Sequence, residues 1–315
     1  MILVTGASGF IGSKLCEALL HHGHKVLGVD NFYHNYDKWI KEFNIKNLLG
    51  DPDFIFLENN ILDPSMKQLI EGLNIESVIH LADIPGVNYC SEVNFDEYIK
   101  YNIVATQRIL EAIKNKGVKK FIYASSSTVY GETGILPMSE ITNPRPISLY
   151  GVSKLAGESL ATYYGNGYDI DIINLRFFTT YGPHQRPDMA FHKFIKSILL
   201  DEDIIVYGDG KQRRDFVYVE DVVDSIVHLL QRELVDEIIN IGEGYSLSVN
   251  DSISIIENML NKKGKIVYTE PLIEEQINTK ACTNLYEKIM FRDKKTDIEK
   301  GINREIKYIK QLYNI

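Results

Sequence analysis

The stretch Met1-Ile2-Leu3-Val4-Thr5-Gly6-Ala7-Ser8-Gly9-Phe10-Ile11-Gly12 decides how this 315-residue chain is read. A short apolar and β-branched run enters three glycines spaced Gly6-x-x-Gly9-x-x-Gly12, and a helical pattern over Ile11–Leu20 follows. Glycines suit such a turn because the backbone must bend tightly and let a pyrophosphate approach. The helix that follows then presents free N–H groups and its positive dipole end to the phosphates. Taken alone, a glycine turn is a weak signal. The second β-rich run strengthens it by ending in Asp30, eighteen residues beyond Gly12, where a carboxylate accepts hydrogen bonds from an adenosine ribose. A carboxylate there also repels a 2′-phosphate, so the pattern predicts NAD rather than NADP. No Gly-Lys-Ser/Thr follows the glycines, which argues against a nucleoside-triphosphatase.

Working outward, β-rich runs recur at Ile2–Thr5, Lys25–Asp30, Asp53–Leu57, Ser77–Leu81, Lys119–Ala124 and Ile170–Leu175. Helical stretches lie between them, including Phe95–Lys114 and Gly151–Tyr164. In the first of these, Ile99, Ile103, Thr106, Leu110 and Ile113 recur at three- and four-residue steps. Alternating strands and helices, with near-continuous apolar strands, predict an α/β protein of Rossmann type: a doubly wound parallel sheet covered on both faces. From about Phe177 the elements shorten and Gly and Pro cluster, which predicts a smaller C-terminal α/β lobe. The expected division assigns 1–176 plus about 212–242 to a dinucleotide-binding domain, and about 177–211 plus 243–315 to a substrate lobe. The tail Thr296–Ile315 reads as an amphipathic helix.

Composition narrows the function classes. Lys and Arg number 34 against 43 Asp and Glu, a net charge of −9, which disfavours a general nucleic-acid binder or a polybasic membrane-surface protein. Cys16, Cys90 and Cys282 are odd in number and widely spaced, so they form neither a disulfide framework nor a CxxC metal pair. No apolar run approaches the ~20 residues of a membrane span, and no basic n-region precedes Ile2-Leu3-Val4. The expectation is a soluble, cytoplasmic protein. His21-His22-Gly23-His24 falls at a helix-to-strand turn with no carboxylate or cysteine beside it in sequence. It reads as a solvated turn, and no metal is expected.

A chemical constellation follows. Tyr150-Gly151-Val152-Ser153-Lys154 sets a phenol and an ammonium four residues apart, on one face of a predicted helix. A tyrosine pKa near 10 is too high for a base at neutral pH, and a neighbouring lysine cation lowers it by favouring the phenolate. Ser125-Ser126-Ser127 close the fifth predicted strand, at the carboxyl edge where such sheets bind ligands.

Together with Thr5–Gly12, Asp30, His80-Leu81-Ala82, Asn102, Ser125–Gly131, Arg176–Pro183 and Arg214-Asp215-Phe216, these residues resemble the extended short-chain dehydrogenases/reductases. The resemblance is to their nucleotide-sugar epimerases and dehydratases in particular, and it spans nearly the whole chain. It implies a bound NAD held by Gly6, Gly9, Phe10, Ile11, Gly12, Asp30, Asn31, Asn60, Ile61, Leu81, Ala82, Asn102, Tyr150 and Lys154. By the same resemblance Tyr150 is the base, Lys154 binds the nicotinamide ribose, and Ser126 holds the sugar hydroxyl, with Ser127 as the alternative. A homodimer through the Phe95–Lys114 and Gly151–Tyr164 helices is also implied.

The substrate is read from a few positions. Ser126-Ser127-Thr128 carry no carboxylate, which disfavours the dehydrating and decarboxylating members. Thr179 and Arg186, in Arg176-Phe177-Phe178-Thr179 and Arg186-Pro187-Asp188, look like bacterial UDP-glucuronate 4-epimerases. An arginine fork with neighbouring hydroxyls also pairs well with a planar anion. Ser127, Thr128, Thr179 and Arg186 are thus expected at the sugar, Arg214 at the diphosphate and Tyr207 near the uracil. A surface or diphosphate-binding role for Arg186 stays open. Three positions depart from the family pattern: Asn88 stands in place of an arginine, Asn60 in place of an acidic residue, and 271–276 lacks the usual Pro-Gly-Asp stretch. The remaining readings are 4-epimerisation of a neutral UDP-hexose or UDP-N-acetylhexosamine, a dehydratase, and a non-catalytic NAD-binding regulator.

Overall fold

The computed structural model describes residues 1–86, 94–233, 237–271, 276–290 and 295–315. Asn88, Cys90 and most of the 271–276 stretch lie outside them. Twelve described strands are β1 (Ile2–Thr5), β2 (Val26–Asp30), β3 (Phe54–Glu58), β4 (Ser77–His80), β5 (Lys120–Ser126) and β6 (Asp171–Phe177), then β7 (Thr179–Tyr181), β8 (Asp203–Tyr207), β9 (Arg213–Tyr218), β10 (Glu237–Ile241), β11 (Ser246–Ser248) and β12 (Lys265–Thr269). Seven form one sheet in the order β10-β6-β5-β4-β1-β2-β3, with every neighbouring pair parallel. The order reverses between β1 and β4, the switch point at which such sheets open a crevice. The chain is a Rossmann-type α/β protein.

Strand alternation sends Leu3 to one face and Val4 to the other, and each face builds its own core. Leu3, Val78, Phe121 and Ile172 pack with Ile109 and Ala161. Val4, Ile122 and Ile173 belong to a second cluster that runs without a break into Phe191, Ile204, Ile253 and Ile309 of the C-terminal part. That part holds a three-stranded sheet, β11-β9-β7, and the parallel pair β8–β12. The helix Ile298–Tyr313 closes it. Among the described residues, no helix is long and apolar enough to cross a membrane.

Two differences from the sequence reading bear on the site. Strands β5 and β6 run two residues further than expected, because Ser125 and Ser126 pair in register with Arg176 and Phe177. The helix expected over Phe95–Lys114 is interrupted: Phe95–Tyr98 and Ala105–Ile113 are α-helical, and Ile99–Val104 between them is wound as a π-helix. The wider turn carries Asn102 inward, where its Oδ1 accepts from Ile84 N (2.7 Å) and its Nδ2 donates to Ile84 O (3.0 Å) and Ser153 Oγ (2.9 Å).

Candidate active site

The switch-point crevice is a cleft of about 430 Å³ running from the glycine turn to Arg214, Phe216 and Val249. At its N-terminal end Gly6 has φ +71°, and a Cβ there would sit 2.9 Å from Ala82 N. A Cβ on Gly12 would lie 2.0 Å from Gly6 O, so only glycine allows the helix Phe10–His21 to start this close to the strand. No described side chain caps that helix, and its first turn holds no acidic residue. Its leading N–H groups therefore suit an anion. Asp30 closes β2, its Oδ2 accepting from Ser8 N (3.0 Å) and its Oδ1 from Phe32 N (2.8 Å). Each oxygen keeps a lone pair for a ligand hydroxyl. Asn31, Asn60, Ile61, Leu81 and Ala82 line the same end, with Phe10 and Ile11. A dinucleotide fits this cradle of glycines, helix end and carboxylate.

The candidate catalytic residues sit where β4, β5 and the helix Leu149–Tyr168 converge. Ser148 caps that helix, its Oγ accepting from Gly151 N (3.1 Å), which starts it two residues earlier than expected. Tyr150 and Lys154 share its cleft-facing side. Both side chains reach Asp83: Tyr150 Oη donates to Asp83 Oδ2 at 3.1 Å and Lys154 Nζ to the same oxygen at 3.0 Å. Asp83 was not anticipated. Lys154 favours the Tyr150 phenolate as expected, but with no ligand bound, burial and then the Asp83 charge push the Tyr150 pKa well above its usual value. Lys154 is held fully cationic, with Asp83 overcoming the burial that would lower its pKa. His80, behind this centre, bonds Thr5 Oγ1 (2.6 Å) and Thr106 Oγ1 (3.0 Å). Burial lowers its pKa to about 3, so it is a neutral brace between β1, β4 and the helix.

The three serines divide their work. Ser125 Oγ donates to Glu158 Oε1 (2.5 Å) and is consumed by the scaffold. Ser126 starts a 3₁₀ turn over Ser127–Tyr130, its Oγ accepting from Thr128 N (3.2 Å) and Thr128 Oγ1 (2.9 Å). With Ser127, Thr128, Thr179 and Arg214, it lines the cleft. Arg186 lines it too, but its fork is already engaged: Nε donates to Asp188 Oδ1 (3.0 Å) and NH2 to Asp188 Oδ2 (2.9 Å). Two expected residues are not on the cleft wall. Asn102 serves as the brace for Ile84 and Ser153 described above, and Tyr207 ends β8 with 39% of its surface exposed.

Lys41 is a second residue that the sequence reading missed. Its Nζ donates to Tyr33 O and to Asn35 Oδ1 (2.8 Å) and lies 4.4 Å from the Tyr36 ring centroid. Burial brings its pKa down to about 8. Nothing in its local sequence marks it, since it lies on an ordinary amphipathic helix, Lys38–Ile45. Asp83 did carry a signal: it immediately follows His80-Leu81-Ala82 at the carboxyl edge of β4, where ligands bind.

A glycine cradle, a ribose-reading carboxylate and a Tyr–Lys pair on a Rossmann sheet define an NAD-dependent enzyme of the short-chain dehydrogenase/reductase type. The sequence model of the NAD dependent epimerase/dehydratase family matches residues 2–242, and the chain belongs to that family. It is similar to a Bacillus subtilis protein named as an uncharacterized UDP-glucose epimerase, YtcB, at 41% identity, over 99% of this chain and 98% of that one. The UDP-glucuronate 4-epimerase of Thermodesulfobacterium geofontis is 36% identical over 98% and 96%. Among solved structures, the UDP-glucuronic acid 4-epimerase of Bacillus cereus, in complex with UDP-glucuronic acid and NAD, superposes with a TM-score of 0.95. It is 40% identical and covered over 99% of both chains. The chain is an NAD-dependent nucleotide-sugar epimerase.

Proposed function

We propose that the enzyme interconverts UDP-glucuronate and UDP-galacturonate by epimerisation at C4. The observation that carries this reading is Arg186, a guanidinium in the same cleft as Tyr150, whose wall also carries the hydroxyls of Thr179, Ser127 and Thr128. Of its five N–H donors, two are paired with Asp188, and the others can serve a substrate carboxylate. The likeness to the Bacillus cereus enzyme supports the same assignment.

In this reading Gly6–Gly12 and Asp30 hold NAD, which when bound accepts a hydride from the sugar C4 and returns it to the opposite face. Tyr150 in its phenolate form takes the C4 hydroxyl proton, Ser126 positions that hydroxyl, and Lys154 stabilises the phenolate. A 4-keto uronate is a β-keto acid that loses CO₂ readily. Ser127, Thr128, Thr179 and Arg186 hold its carboxylate in a geometry that disfavours C–C cleavage. Arg214 contacts the diphosphate. We also infer the division into a dinucleotide domain (1–176 plus about 212–242) and a substrate lobe. A homodimer across the Phe95–Ile113 and Leu149–Tyr168 region is supported by exposed Ile99, Val152 and Tyr163 there.

The test is to incubate the protein with UDP-glucuronate and follow the anomeric protons by NMR, first without and then with added NAD. The expected result is a near-equal mixture with UDP-galacturonate, abolished in Tyr150→Phe. No conversion even with NAD, alongside turnover of a neutral UDP-hexose, would overturn the uronate assignment.

A further inference from the structure

A base works only as its deprotonated form, and a lysine aids a tyrosine base by favouring the phenolate. Asp83 opposes both. Its Oδ2 takes hydrogen bonds from Tyr150 Oη (3.1 Å) and Lys154 Nζ (3.0 Å) together. The Lys154 side chain is 2% exposed and that of Asp83 19%, so water screens their charges weakly. A bond donated by the phenol stabilises its neutral form, the carboxylate charge repels a phenolate, and the same charge offsets the lysine.

We propose that Asp83 sets the pH above which this enzyme turns over, by holding the proton on Tyr150 and engaging Lys154 until both are drawn to ligand hydroxyls. It acts through those two side chains and is therefore a positioning residue. The inference rests on Tyr150 being the base, not on the substrate being a uronate. No redox step is added: Tyr150 loses its own proton to bulk water before it takes that of the sugar hydroxyl.

The other groups facing this centre do not alter the direction. His80 on β4 is neutral, with its pKa near 3, and lies within electrostatic reach of Asp83. Tyr123 on β5 is buried and its own pKa is raised. Tyr98, from the Phe95–Tyr98 turn, is a ring neighbour at 6.2 Å. Arg186 reaches Asp83 electrostatically but is bound by Asp188. Burial raises the Tyr150 pKa most, and of the two charges against the phenol Asp83 raises it and Lys154 lowers it.

Asp83→Asn keeps the shape and an acceptor oxygen while removing the charge. An adjacent charge moves a pKa by about 1–3 units, and kcat/KM reports the groups of the enzyme before substrate draws them away, so the acid limb of the kcat/KM–pH profile is expected to move down by at least ~1 unit, raising kcat/KM on that limb about tenfold. Asp83→Glu should keep the wild-type profile. A second measurement needs no turnover: ultraviolet phenolate titration, taken as the difference between each protein and its Tyr150→Phe counterpart, should show Tyr150 ionising at lower pH in Asp83→Asn. NAD titration calorimetry reports whether the variant keeps its cofactor site, and Asp83→Ser replaces Asp83→Asn if it does not. An unmoved limb with an unmoved phenolate titration would overturn the proposal. So would a kcat/KM that falls equally at every pH. Failure of UDP-glucuronate to react would refute the substrate assignment and leave the phenolate titration standing as the test of Asp83.

Discussion

Removing the charge of Glu158 should unfasten the elements that carry Tyr150, Lys154 and Ser126. Glu158 lies four residues after Lys154 on the helix Leu149–Tyr168. Its carboxylate accepts from Arg176 Nε (2.9 Å) and NH2 (2.8 Å) on β6 and from Ser125 Oγ (2.5 Å) on β5. The Arg176 guanidinium also stacks 4.7 Å from the Tyr130 ring centroid. One carboxylate thus joins the helix of Tyr150 to the strand that ends in Ser126. The two side chains are only 2% and 5% exposed. Burial alone would lower the Arg176 pKa, and Glu158 more than reverses that. Glu158→Gln leaves a buried guanidinium without a counter-charge and turns an amide donor toward it. Breaking one side of such a pair costs about 3–5 kcal/mol. At ~2 °C per kcal/mol for a chain of this size, Tm should fall by about 6–10 °C. Scanning calorimetry reads the shift, and urea midpoints with an unchanged slope would attribute it to stability. Replacing both partners, as Glu158→Leu with Arg176→Met, removes the charges together and should recover most of the loss. A single variant within ~2 °C of wild type, or a double variant as unstable as the single one, would refute the reasoning.

Two further outcomes follow from the same geometry. In Gly12→Ala the new Cβ meets Gly6 O at 2.0 Å, and the strand-to-helix turn must open; NAD affinity measured by calorimetry should fall by ~100-fold or more, which is about 2.7 kcal/mol. His80, His184 and His192 are held neutral by burial, with pKa values lowered from 6.5 to about 3, 3 and 4. Below pH 6.5 the unfolded chain binds protons that the folded chain does not, so stability should fall steadily as pH drops from about 6.5 toward 4. Urea midpoints between pH 7.5 and 5 would show this, and a flat profile would count against it.

Much of the fold was legible because its signals are local. Apolar runs bounded by turns marked β1 to β6, and β1 fell where Ile2–Thr5 predicted it. The residues of the site were legible as types, from the glycine spacing, the Tyr-x-x-x-Lys step and the serines at the end of β5. What stayed hidden depends on contacts across the chain. Asn102 looks like a cofactor ligand in sequence, yet the π-helical turn aims it at Ile84 and Ser153. Lys41 and Asp83 reach the cleft from separate elements. Whether an ionisable group there is a partner or an antagonist depends on a distance of about 3 Å that spacing does not encode.

Lys154, Arg176 and Arg186 each have a carboxylate partner, and exposure separates their roles. Arg176–Glu158 is nearly water-free, bidentate and off the cleft wall. A ligand cannot reach it, and its work is structural. Lys154–Asp83 and Arg186–Asp188 line the cleft, with their carboxylates 19% and 15% exposed. In the first pair an arriving hydroxyl competes with Asp83 for Lys154, and in the second a carboxylate must share with Asp188 a guanidinium whose charge is already paired. Binding therefore gains the difference between two hydrogen-bonded arrangements rather than the full strength of a new ion pair. It follows that substrate discrimination at Arg186 rests on how well a uronate displaces or shares with Asp188. Shortening that competitor should then change affinity for charged and neutral sugars in opposite directions: removing the Asp188 carboxylate frees the fork for a uronate and leaves a neutral hexose facing an unpaired guanidinium.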